Sequence, residues 1–179
     1  MGLIFSYTNG GVGISTLIDH GSAANGVASS STEIFIRHDY SNPITNVGLY
    51  LRRVSGTYSG SFTATADVAE ILAWGDGADA DAFGGFQCNF NAVGLYTPEV
   101  WPTYSTPIAT NYSVFKTGVG DSEDNAITLP VATGASAAGT IQAGSSPNVR
   151  FDTRCVVPAD EDTVGIRQFE WVVRYNFTS

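Results

Sequence analysis

The chain has 179 residues, a net charge of −9, 43% hydrophobic residues and only 14% charged residues. This length supports one domain with its own core, and the combination of ordinary hydrophobicity with low charge excludes a disordered chain. Nucleic acid is excluded as a partner because its binding depends on many basic contacts, whereas this acidic chain has a single lysine, Lys116. No apolar stretch is long enough for a transmembrane helix, so we expect no membrane association.

The residue pattern in the first half of the chain predicts short strands. Alternation of apolar and polar residues favours strands over 3–8, 13–18, 33–38 and 46–53. Asn42-Pro43 lies between the third and fourth of these strands. The residue before a proline is pushed out of the helical region, so this dipeptide predicts a turn.

Residues 66–74 predict the one helix of the chain. Thr65 is a candidate N-terminal cap, Asp67 lies near the positive end of the helix, and Gly75 is a natural stop. The apolar side chains follow helical spacing at Val68, Ile71 and Leu72. A helix of about nine residues is marginal alone and must pack on a sheet.

The C-terminal alternation is the clearest pattern in the sequence. Residues 149–157 and 166–177 each place apolar side chains at every second position, and the connection between them contains Pro158 and an acidic stretch. We interpret them as an antiparallel pair joined by about eight residues. With no break in composition, the sequence predicts a single, mainly β domain over 1–179: an antiparallel β-sandwich or jelly-roll-like fold with one short helix.

Asp76, Asp79 and Asp81 lie on a glycine-bearing segment after the predicted helix. Carboxylates on such a loop can bind Ca²⁺, although the spacing is not that of an EF-hand, and the pattern favours a solvated acidic turn over a metal site. The two histidines, His20 and His38, form no spaced catalytic arrangement, and no nucleophile elbow or phosphate-binding loop is present. We therefore predict no enzymatic activity and no cofactor, with Ca²⁺ on this loop as the one metal to test.

Four aromatic residues in predicted loops are candidates for an interface: Tyr96, Trp101, Tyr104 and Tyr112. Trp and Tyr offer a large apolar area with a polar group, which suits a protein interface, a sugar-stacking platform or a loop folded over a sheet edge. Cys88 and Cys155 are 67 positions apart, and in the absence of a visible secretory signal we expect buried free thiols.

Two segments, SNPITNVGLY at 41–50 and GIRQFEW at 165–171, together with the Gly, Ser, Thr and Ala content, give the chain a resemblance to structural proteins of tailed-bacteriophage virions. The resemblance implies a non-enzymatic subunit that works by packing, first as a capsid decoration (cement) protein and second as a tail or baseplate component. It also implies partners that are further copies of the chain or other virion proteins such as the major capsid protein, and a location in the virion after assembly in the host cytoplasm. The alternative from another class is a carbohydrate-binding module that uses the loop aromatics and the Asp76–Asp81 segment.

Overall fold

The protein is seen here as a computed structural model that describes residues 2–8, 10–13, 18–54, 64–76, 84–90, 101, 112–130, 137–143 and 149–177. Among these residues it is mainly β. The elements in chain order are β1 (Leu3–Ser6), β2 (Thr32–His38), β3 (Ile44–Arg52), α1 (Ala64–Gly75), β4 (Gly85–Phe90), β5 (Tyr112–Val114), β6 (Ile127–Thr128), β7 (Val149–Val156) and β8 (Glu170–Phe177).

Two antiparallel sheets enclose the core. The larger sheet has the order β1-β2-β7-β4-β5 and the smaller has the order β6-β3-β8. Alternate side chains of both sheets meet in one buried cluster, with Ile36 and Phe151 from the larger sheet and Leu49 and Leu51 from the smaller. The predicted β-sandwich with one short helix is confirmed.

Strand β3 begins at Ile44, two residues before the predicted strand over 46–53. Its pairing with β8 shifts register between Thr45 and Gly48, and Asn46 there has a φ of 53°. A bulge needs a residue that tolerates the left-handed region, and Asn is among the few non-glycine residues that do.

Helix α1 confirms the predicted helix and extends it at both ends, to Ala64–Gly75. Thr65 lies inside the helix, so the prediction that it caps the N-terminus is wrong. The helix packs on β4 at Gly85, whose φ is +90° and where a Cβ would lie 2.9 Å from the carbonyl oxygen of Ile71. Only glycine permits both this backbone conformation and this close approach. Within the described ranges, no helix has the length and apolar character needed to cross a membrane.

The predicted pairing of the two C-terminal strands is wrong. Strand β7 pairs with β2 and β4 in the larger sheet, whereas β8 pairs with β3 in the smaller. The connection from β7 to β8 runs from the larger sheet to the smaller one and contacts α1. Arg167 forms an ion pair with Glu70, and the backbone N–H of Gln168 donates to Asp67 at 3.2 Å.

The predicted strand over 13–18 is not established. Residues 14–17 lie outside the described part of the chain, and Gly13 and Ile18 belong to no strand.

Candidate protein-interaction surface

Strand β8 forms one edge of the smaller sheet and is packed less completely than its neighbour. Leu49 and Leu51 of β3 are 0% exposed, whereas their partners across the strand pair, Val173 and Trp171, are only partly buried. We call β8, with the flanking Phe169 and with Tyr40, the β8 edge. Its apolar side chains pack against the core and remain partly exposed.

The length of β8 distinguishes it from the other strands at sheet edges. Among the described residues, β1 at one edge of the larger sheet has four residues, β5 at the other has three, and β6 has two. Strand β8 has eight. Long open edges invite pairing with another chain, and proteins keep most edge strands short for that reason.

Trp171 links the β8 edge to the opposite sheet. Its ring lies 5.5 Å from that of Phe5 in an edge-to-face arrangement and 4.8 Å from that of Phe151. Offset and edge-to-face aromatic pairs contribute about 0.5–1.5 kcal/mol each beyond the area they bury. These contacts hold β8 in a defined position, so the edge is a fixed template.

An aromatic cluster closes the far end of β8. The Tyr40 ring stacks on Phe177 at 5.0 Å with only 8° between the planes, and Phe177 remains 57% exposed. The hydroxyls of Tyr40 and Tyr175 lie 3.1 Å apart, and this hydrogen bond, with partial burial, raises the pKa of Tyr175.

His38 positions Tyr40 through a hydrogen bond to its backbone. Nδ1 of His38 accepts the backbone N–H of Tyr40 at 3.3 Å, so Nε2 carries the proton that is donated to the Ile141 carbonyl oxygen at 3.1 Å. The ring is fully buried, and both nitrogens are used by the backbone. This arrangement gives His38 a structural role.

The polar face of β8 carries two opposite charges. The Nε of Arg52 donates to Glu170 at 2.5 Å, and this hydrogen bond raises the pKa of Arg52. Arg174 donates from Nη1 to the Glu123 carbonyl oxygen at 2.6 Å and lies across Gly48, where a Cβ would come within 3.0 Å of its Nε. With one acidic and one basic residue, the strand itself is neutral in a strongly acidic chain.

Of the three aspartates proposed as a Ca²⁺ site, the structure describes only Asp76. Asp76 directs both carboxylate oxygens to Thr117, accepting its backbone N–H at 3.0 Å and its hydroxyl at 2.6 Å. Asp79 and Asp81 lie outside the described residues. In the part of the chain that is described, no three ligand-type side chains come together as a metal site would require, and Ca²⁺ at this loop stays a prediction.

The four predicted interface aromatics are not brought together by the described structure. Trp101 is half-buried, and the Arg154 guanidinium lies 4.1 Å from the centre of its ring, a cation–π contact over the outer face of the larger sheet. Tyr96 and Tyr104 lie outside the described residues, and Tyr112 is placed only as the first residue of β5.

The two cysteines are free thiols, as the sequence predicted, with Cys88 buried and Cys155 only partly buried. In the β4–β7 register Cys88 faces Thr153 and Phe86 faces Cys155, so the thiols are diagonal neighbours on adjacent strands. Burial raises the pKa of Cys88 well above its usual range and raises the pKa of Cys155 to about 12. Both therefore remain protonated and poorly reactive at neutral pH.

No protein-family model matches the chain, and comparisons with curated proteins and with solved structures find no similar protein.

Proposed function

We propose that the chain is a non-enzymatic structural subunit of a virion, in first place a capsid decoration protein that stabilises the head by packing contacts. The observation that carries the proposal is the incomplete packing of the β8 edge. An eight-residue strand with half-buried Trp171 and Val173 is the kind of surface that gains stability when another subunit covers it.

The charge pattern supports this reading. The chain carries −9 overall, and the net charge of β8 is zero, so a partner meets an apolar and neutral strand rather than an acidic one. Interfaces concentrate aromatic residues and exclude charge at their centres, and the β8 edge combines Trp171, Tyr175, Phe177 and Tyr40. The virion setting itself rests on the resemblance of segments 41–50 and 165–171.

The proposal is tested by particle composition. Virions banded in a density gradient from cultures that produce the chain should contain it in a fixed ratio to the major capsid protein, measured by quantitative mass spectrometry. Separation of heads from tails then distinguishes decoration of the capsid from a tail or baseplate position. Recovery of the chain only outside the particles would refute the proposal.

The carbohydrate-binding alternative depends on Tyr96 and Tyr104, together with Trp101 and the acidic segment. A glycan array probed with and without EDTA tests it directly. Retention of one sugar class at millimolar concentration, lost in EDTA, would replace the structural proposal with a Ca²⁺-dependent binding module. No retention in either condition would eliminate the alternative.

A further inference from the structure

We propose that the partner of the β8 edge is a second copy of this chain, whose β8 pairs antiparallel with the first across a two-fold axis at Val172. The two smaller sheets then form one continuous six-stranded sheet. This inference rests on the proposed function, because it names the partner of the surface on which that function depends.

The alternation of β8 restricts the register. Residues that face each other in an antiparallel pair lie on the same side of the sheet, so a symmetric β8 pair must be centred on a residue of the strand. Centring on Glu170 places two carboxylates opposite each other, and centring on Arg174 places two guanidinium groups opposite each other. Like charges directly opposite are destabilising, which disfavours both arrangements.

Centring on Val172 brings opposite charges together twice. Glu170 of each copy then faces Arg174 of the other, and the valines meet at the axis. In each copy Arg52 already contacts Glu170, so the polar face would carry Arg52, Glu170 and the second copy's Arg174 in sequence across three strands. Centring on Val173 places no charged residue directly opposite another, so charge complementarity selects Val172.

The core side of the strand fits the same arrangement. With Val172 on the axis, Trp171 faces Val173 of the other copy and Phe169 faces its Tyr175. These four side chains are partly buried in the single chain, and all belong to the row that packs on the core. The pairing therefore continues the apolar layer between the sheets from one copy into the next.

Disulfide trapping tests the register. Paired residues at the axis have Cα atoms about 4.5–5.5 Å apart, within the range of a disulfide. Val172→Cys should give a covalent dimer under mild diamide oxidation, whereas Val173→Cys and the unmodified chain, whose own thiols are buried at Cys88 and partly buried at Cys155, should stay uncrosslinked. Efficient trapping at 173 in place of 172 would overturn the register.

Light scattering on variants tests the dimer itself. Val172→Lys places two ammonium groups across the axis and should weaken dimerisation at least about tenfold. The control is Thr128→Lys, which adds the same charge to the exposed opposite edge of the same sheet and should change the affinity less than about twofold. Circular dichroism confirms that both variants fold.

The outcome separates the two proposals. A chain that is monomeric up to about 1 mM and gives no trapping at Val172 refutes the β8 pair. If that monomer is still recovered in virions at a fixed ratio, the structural function stands and another protein covers the edge. A dimer that never enters particles would refute the virion function while leaving the pairing intact.

Discussion

The packing difference between the central strand β7 and the edge strand β8 predicts a difference in stability that one substitution type can measure. Val149 of β7 is 0% exposed, and Val173 of β8 is only partly buried, so Val→Ala removes the same atoms from two environments. Each buried carbon contributes about 0.8 kcal/mol on transfer, and an unrelaxed cavity adds to the loss. We therefore expect Val149→Ala to cost about 2–3 kcal/mol and Val173→Ala about 1 kcal/mol or less.

The assay is equilibrium urea unfolding of both variants at low protein concentration, where the chain is monomeric. The dependence of the unfolding free energy on urea should be the same for both, so that the midpoints report stability alone. Equal costs for the two substitutions would refute the inference that the β8 edge is incompletely packed. A cost for Val173→Ala that grows with protein concentration would add evidence that a second copy covers it.

Three further predictions follow from single sites. Burial lowers the pKa of His20 below 6.5 despite the opposing charge of Asp19. On acidification the unfolded chain therefore takes up a proton before the folded one, and the unfolding free energy should fall as the pH drops below 6.5. In urea titrations His20→Gln should remove that part of the pH dependence. Cys88 and Cys155 should not react with a thiol reagent such as DTNB in the native state and should both react in urea. Gly85→Ala should cost at least about 2 kcal/mol, since a Cβ there meets the helix backbone at a φ of +90°.

Each of these has its own control. Carboxylates with lowered pKa values, such as Asp121, lose their contribution only as the pH falls below about 4, so between pH 6.5 and 5 the difference in slope between the unmodified chain and His20→Gln reports His20. An unchanged slope in His20→Gln would contradict the assignment. Rapid native labelling would contradict thiol burial. Gly118→Ala, at a φ of +77° with open space around it, should cost only the backbone strain of about 1 kcal/mol, and a similar loss at Gly85 would contradict the packing argument.

Local structure could be predicted from the sequence because it depends on neighbouring residues. The helix, the strands near 33–38 and 149–157, and the inward row of β8 follow from alternation and helical spacing, and the structure confirms them. The short strands β5 and β6 have three and two residues, too few for a periodic pattern. Their pairing is set by contacts with distant parts of the chain.

The order of strands was the part that local pattern could not supply. A connection of about eight residues normally joins neighbouring strands, which suggested a β7–β8 hairpin. In the structure β8 begins at Glu170, and the preceding residues are held by the helix through the Arg167–Glu70 ion pair. The alternation continues through those residues in the sequence, although they form no strand. The helix contact, which no alternation pattern shows, carries the chain to the other sheet.

The wrong β7–β8 pairing is also the reason that the sequence did not indicate the β8 edge as a candidate interaction surface. If β8 were the hairpin partner of β7, it would lie within the larger sheet, and its apolar row would be ordinary core. Placed instead beside β3, at the edge of the described sheet, that row stays partly exposed, as Leu3 and Phe5 of β1 do, but along a strand of eight residues rather than four. Trp171 shows why the chain can keep this edge without losing its fold, since its contacts with Phe5 and Phe151 already fix the strand. A strand held in place by one face and neutral along its length is suited to pairing, and the acidic charge elsewhere on the chain disfavours other modes of self-association.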